Sequence, residues 1–174
     1  TTLGVGVFAE CAGLRTATIG TGVTGIPYYA FENCTALSTV NLNCTKATYI
    51  DRLAFRNTAL TSVTIPNSVQ SIGYEAFEVC SNLKTVNMGT GVTTINYDSF
   101  RDCEALTNVT WSSKLTSIGE SAFRNTGIRT VSLPAGLTTI GESAFRACSF
   151  SSITLPAKVT SIGRYAFAYN TALA

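Results

Sequence analysis

Histidine is absent from the 174-residue chain, which removes the commonest general base, nucleophile activator and metal ligand near neutral pH. Charge is sparse. Asp, Glu, Lys and Arg together make up 13% of residues, and 12 bases against 10 acids leave a net charge of +2. That balance implies no general attraction to nucleic acid or anionic lipid. Apolar runs stop after a few residues, so no stretch reads as a transmembrane helix and no membrane insertion is expected. A start Met, a charged n-region and an apolar h-region are all missing, so no signal peptide is visible. Apolar residues nevertheless reach 45%, too many for a disordered chain and in the wrong pattern for a coiled coil.

What is present is a repeat. Phe recurs at 8, 31, 55, 77, 100, 123, 145 and 167, in steps of 22 to 24 residues, and such a period means a solenoid. Leu14, Leu37, Leu60, Leu83, Leu106, Ile128, Phe150 and Leu173 form one column. Three and five residues later come further apolar columns, such as Val63 with Ile65 and Val86 with Met88. Alternation rich in Val, Ile and Thr predicts one parallel strand per coil. Pro66, Pro134 and Pro156 end it. A second apolar pair, as in Val69 and Ile72, predicts a short second strand or an extended turn. Pro27, Asp51, Gly73, Asn96, Gly119, Gly141 and Gly163 share the next column. Pro27 forbids positive φ there, so the column is read as a helix cap. A single helical turn is expected after it, with Glu120–Arg124 and Glu142–Arg146 as i, i+4 pairs. The Ala–Phe pair inside that turn, Ala76-Phe77 for example, is the packing anchor of an α/β coil of about 23 residues. The whole of 1–174 reads as one solenoid of seven to eight coils. It opens and stops mid-repeat without the polar caps a solenoid needs, as expected of a piece of something longer.

Leu60-x-x-Val63-x-Ile65-Pro66, Val69-x-x-Ile72-Gly73 and Ala76-Phe77-x-x-Cys80 resemble the BspA-type, or Treponema-type, leucine-rich repeat over essentially the whole chain. The resemblance implies a right-handed leucine-rich-repeat solenoid with the first strands on the inner face. It also implies a cell-surface or extracellular protein used in adhesion and protein binding. Fold alone does not fix the ligand.

Five of the six cysteines share one column, three residues after Phe: Cys11, Cys34, Cys80, Cys103 and Cys148, completed by Thr58, Thr126 and Asn170. Bridges or metal are conceivable, but Cys148 has only Thr126 and Asn170 as column neighbours. Small groups that bond the turn's backbone explain all eight, so buried free thiols are expected, with Cys44, in an insertion, as the exposed one. All ten acids fall on the predicted helical-turn arc and its following loop, and read as a solvated face. Arg15, Lys84 and Arg129 before first strands, and Lys46, Lys114 and Lys158 before second segments, lie off it. They read as solubility and strand-edge protection, or as an anion-facing rim. The outward strand positions, among them Thr64, Thr85, Asn87, Asn108, Thr110 and Thr130, carry only Thr, Ser or Asn. They suit weak, extended contact with protein or glycan. Tyr28, Tyr74 and Tyr97, with Arg52 among them, share a column on the arc and are the candidate anchor patch, unless they merely pack over a turn. No catalytic, cofactor-binding or metal-binding residue is assigned. The expected function is non-catalytic protein or glycan binding at a cell surface, the alternative being a structural protein that stacks head to tail into filaments.

Overall fold

The computed structural model describes residues 1–173; Ala174, the last residue of the expected solenoid, lies outside the described residues. The chain winds as a parallel β-solenoid. Its strands are β1 (Thr16–Ile19), β2 (Thr39–Leu42), β3 (Tyr49–Ile50), β4 (Ser62–Thr64), β5 (Ser71–Ile72), β6 (Thr85–Asn87), β7 (Thr94–Ile95), β8 (Asn108–Thr110), β9 (Ser117–Ile118), β10 (Thr139–Ile140) and β11 (Ser161–Ile162). The second segment is therefore a strand. It builds a six-stranded sheet, β3-β5-β7-β9-β10-β11, whose members sit on six successive turns. An Ile26–Ile50 bridge extends that sheet towards the N-terminus.

The first strands pair less continuously. β1 pairs with β2, β4 with β6 and β6 with β8, while the later coils contribute only a Ser132–Thr154 bridge. The two interruptions follow a change in loop length. Leu37 and Leu106 lie three residues beyond Cys34 and Cys103, and each closes a turn onto that cysteine's carbonyl at 2.9 Å. Leu60 and Ile128 lie only two residues beyond Thr58 and Thr126. These two shorter loops bring the next strand in without that turn, and the ladder does not close across them. Across the equally short Cys148–Phe150 loop it keeps the single Ser132–Thr154 bridge.

The predicted helical turn is not formed; the described residues contain no helix. The arc is instead a chain of overlapping β-turns. The N–H groups of Ala76, Glu78 and Cys80 bond the carbonyls of Gly73, Glu75 and Phe77. The intervening N–H groups of Glu75, Phe77 and Val79 reach the next coil, to Tyr97, Ser99 and Arg101 at 2.8–3.0 Å. An α-helix would keep every donor within its own segment, whereas stacking needs half of them exported. Positive φ makes the export possible, and it occurs in two columns. One runs through Tyr29, Leu53, Glu75, Asp98, Ser121, Ser143 and Tyr165, the other through Glu10, Asn33, Asn57, Val79, Asp102, Asn125, Ala147 and Tyr169. Asn and Asp tolerate this region; Val79, β-branched at φ 59°, is held there by the turn. Accordingly the expected i, i+4 pairs, Glu120–Arg124 and Glu142–Arg146, do not form among the described residues.

The predicted cap column takes no positive φ, but it has no helix to cap. Its glycines answer to stacking. A Cβ on Gly73 would lie 2.6 Å from the Asp51 carbonyl carbon and 2.7 Å from the Arg52 nitrogen.

Between the arc and the two strand layers runs the core. Phe8, Phe31, Phe55, Phe77, Phe100, Phe123, Phe145 and Phe167 stack nearly parallel, with centroids 5.1–5.6 Å apart. The column beside them is Ala except at Val7 and at Ser99, whose hydroxyl is absorbed by the carbonyls of Gly73 (2.9 Å) and Asn96 (2.7 Å). Phe100 is wholly buried and Phe8 is 37% exposed. Phe100→Ala should therefore cost about 3–5 kcal/mol in denaturant melts and Phe8→Ala far less. Equal losses would mean the coils do not share one stacked core.

Candidate functional site

The predicted anchor column sits where the second strand turns into the arc. There Tyr74 and Tyr97 meet edge to face at 6.4 Å and are 52% and 39% exposed. Arg52 lies over the Tyr28 ring at 5.7 Å and bonds Glu75 at 3.4 Å. Tyr28 turns away from the others and stacks on Tyr29 at 3.6 Å. A shallow cleft of about 420 Å³ is lined by Arg52, Tyr74, Glu75, Tyr97 and Glu120. Across Tyr74 lies a second cleft of about 290 Å³, walled by Tyr49 and floored by Asp51, Ser71 and Asn96. Tyr49, 40% exposed, was not singled out from the sequence because it lies in the second-strand column, among Ser and Thr. Its ring covers Gly25, where any Cβ would collide with it.

The strand-face candidates stand apart from this patch, and the clefts of the two regions share no lining residue. Thr64, Asn87 and Thr110 form a side-chain ladder, Asn87 Nδ2 donating to Thr64 at 3.5 Å and Thr110 donating to Asn87 Oδ1 at 3.2 Å. Thr85 flanks them on β6, Asn108 donates to Thr107 at 3.2 Å, and Thr130 follows the second ladder break.

The acids do not all form a solvated face as expected. Glu78 and Asp98 are only 3% and 1% exposed. Glu78 lies between Arg56 (2.7 Å) and Arg101 (2.6 Å), and Arg101 also takes Asp98 (2.8 Å) and Asp102 (3.3 Å). Arg56 reaches Glu32 as well, at 3.4 Å, so the pairs form a chain across the arc. Burial pushes the Asp98 carboxyl up, against the pull of Tyr97 and Arg101. Its Oδ1 has no partner. The Asp98 carboxylate in turn raises the Tyr97 phenol. No group of three or more potential metal ligands exists among the described residues.

The cysteine column is buried and bonds the turn's backbone as expected at four of its five cysteines, Cys11 being exposed. Cys34, Cys80, Cys103 and Cys148 each donate to the carbonyl of the Phe one coil back, at 3.0–3.1 Å. Thr58 and Thr126 bond the Phe carbonyl of their own coil at 3.0 Å, and Asn170 bonds two Phe carbonyls at 2.8 Å. Cys44, however, is buried, not exposed. It stands where other coils have Pro, Gly or Ser, three residues before Ala47 where they have Val or Leu, and both fill the core. Burial raises its thiol pKa. The exposed thiol is Cys11, on the first coil. A thiol reagent should modify Cys11 alone in the native protein and six thiols after unfolding without reductant. Two or fewer on unfolding would mean bridged coils.

No helix among the described residues is long and apolar enough to cross a membrane. Among curated proteins, no sequence matches this chain. Several solved structures resemble it, three of them as follows. A leucine-rich repeat protein from Eubacterium ventriosum is 29% identical with a TM-score of 0.82, over 90% of this chain and 43% of its own. A leucine rich cell surface protein from Faecalibacterium prausnitzii is 29% identical with a TM-score of 0.57, over 97% and 54%. A leucine-rich repeat protein from Bacteroides ovatus is 23% identical with a TM-score of 0.57, over 99% and 57%, and shows the fold alone. The chain thus spans about half the length of these proteins. The model of the BspA type leucine-rich repeat region matches in six copies over residues 1–110 and 48–174, and with the phenylalanine stack and the turn-built arc this places the chain in the BspA-type leucine-rich repeat family.

Proposed function

We propose that the chain is a non-catalytic binding module of a cell-surface or extracellular protein, one solenoid domain of seven to eight coils whose anchor is the tyrosine cleft. One observation carries the reading. Exposed Tyr74 and Tyr97, flanked by Arg52 and by Glu75 and Glu120, gather the residue types that dominate protein interfaces, whereas the strand face has neither Trp nor Tyr among its outward residues. Leucine-rich repeats in general bind proteins and carry no chemistry of their own. The description of the Faecalibacterium prausnitzii relative as a cell surface protein favours the location. A secreted or matrix protein bound by this chain should lose at least about tenfold in affinity for each of Tyr74→Ala and Tyr97→Ala, with the melting temperature unchanged. Loss through Thr64→Ala with Thr110→Ala instead would move the anchor to the strand face.

A second reading, head-to-tail assembly, is favoured by exposed apolar side chains on the terminal coils: Val5 and Phe8 on one, Leu155 and Ile162 on the other. Such a contact is heterologous and does not close. When residues 1–174 are produced alone, light scattering should grow with concentration. A strict monomer at high concentration would exclude it.

A further inference from the structure

We propose that the strand face binds a linear polyanionic polysaccharide, one bearing sulfate or carboxylate groups along its length. This surface is separate from the tyrosine cleft and the proposal stands whether or not that cleft binds protein.

Six of the twelve bases border the face. Arg15, Lys84 and Arg129 line the margin where the first strands begin, and Lys46, Lys114 and Lys158 the margin where they have ended. All six are exposed, and none joins an ion pair among the described residues, unlike Arg52, Arg56 and Arg101. No acid lies between the margins. The acid nearest along the chain, Glu104, accepts a hydrogen bond from Asn125 at 3.3 Å. An uncompensated cationic frame around an uncharged floor is complementary to an anion that runs along the solenoid.

Spacing supports an extended ligand. The six bases fall on six of the seven coils from Leu14 to Phe150, the coil of Leu60 having none, and alternate between the two margins. With parallel strands stacked at roughly 4.8 Å, a chain lying along the face meets a charge at nearly every coil, first from one side and then from the other. The floor offers hydroxyls and amides, from Thr18 and Asn41 to Asn87 and Thr110, that can bond sugar hydroxyls. One break in the first-strand ladder opens onto this face as a cleft of about 290 Å³ between β2 and β4. A second cleft, of about 630 Å³, lies farther along between the coils of Ser132 and Thr154 and is bordered by Lys158. Each is a seat for a substituent that projects from a chain lying over the sheet.

The chemistry also discriminates among polyanions. Single-stranded nucleic acid binds by stacking bases on aromatic side chains, and no aromatic points outward here. Trp111 packs edge-on against Phe123 at 5.2 Å, and Phe150, in the column that leads into the strands, is buried edge-on against Phe145 at 5.6 Å. An acidic protein would need a buried aromatic or Arg anchor at the centre of the contact, where this face has only Thr, Ser and Asn.

The test is binding of heparin, as a sulfated probe, against uncharged dextran at low and at physiological salt. Heparin should bind with an affinity that falls as salt rises, and dextran should not. Lys84→Gln, Lys114→Gln and Arg129→Gln together should weaken heparin binding by on the order of a hundredfold. Removing three arc charges instead (Arg124→Gln, Arg146→Gln, Arg164→Gln) should leave it unchanged, as should Tyr74→Ala. No binding of heparin, an equal effect of the two triple variants, or loss of binding in Tyr74→Ala would overturn the proposal. So would poly-glutamate or single-stranded DNA binding as tightly as heparin, which would assign the face to another polyanion.

Discussion

Everything in this molecule depends on the export of every second backbone donor of the arc to the next coil. Glu75, Phe77 and Val79 reach Tyr97, Ser99 and Arg101, and the same bonds recur coil after coil, from Gly6, Phe8 and Glu10 to Ser143, Phe145 and Ala147. These bonds fix the rise per coil, and the rise fixes the rest. The phenylalanine rings must stack nearly parallel at 5.1–5.6 Å. Gly73 must lack a Cβ, and the Phe carbonyls need donors from the Cys, Thr and Asn column. Because the arc and the second sheet are continuous, the first-strand ladder can part in two places without separating the coils.

The same constraint sorts the surface. On the arc, side chains of neighbouring coils stand close enough for Arg56 and Arg101 to bridge successive acids, so their charge is consumed in pairs and two acids become buried. Arg124, Arg146 and Arg164 pair with no acid among the described residues. The strand margins have bases and no acids opposite them, and their charge stays available. The tyrosines stand between these regimes, at the corner where the second strand enters the arc, with one face packed and one exposed. Two unlike binding surfaces on one coil design follow from the order of elements within a coil, not from any inserted motif.

Much of this was legible in the sequence. The phenylalanine spine, the strands, the hydrogen-bonding role of the Cys column and the gathering of Tyr74, Tyr97 and Arg52 could be read from columns, since a repeat places equivalent residues side by side. The misreadings share one cause. Glu120 with Arg124 has helical spacing, and Gly119 resembles a cap, yet both describe one coil alone. Asn57 and Asn125, two residues after Phe, were the available signal for positive φ, masked by Val79 and Ala147 in the same column.

What the sequence by itself determined is the one-dimensional part: the period, which side chains face inward, and the partition of acids to the arc and six bases to the strand margins. Those properties are local to a coil and repeat with it. Only the tertiary structure decided that the arc is built of turns, that Cys44 and Asp98 are buried, and that the first-strand ladder opens where Thr58 and Thr126 shorten the loop. Each of these is a relation between neighbouring coils. It depends on where the next backbone lies to within an ångström or two, and a change of one residue in loop length moves that backbone while leaving the columns of the sequence almost intact.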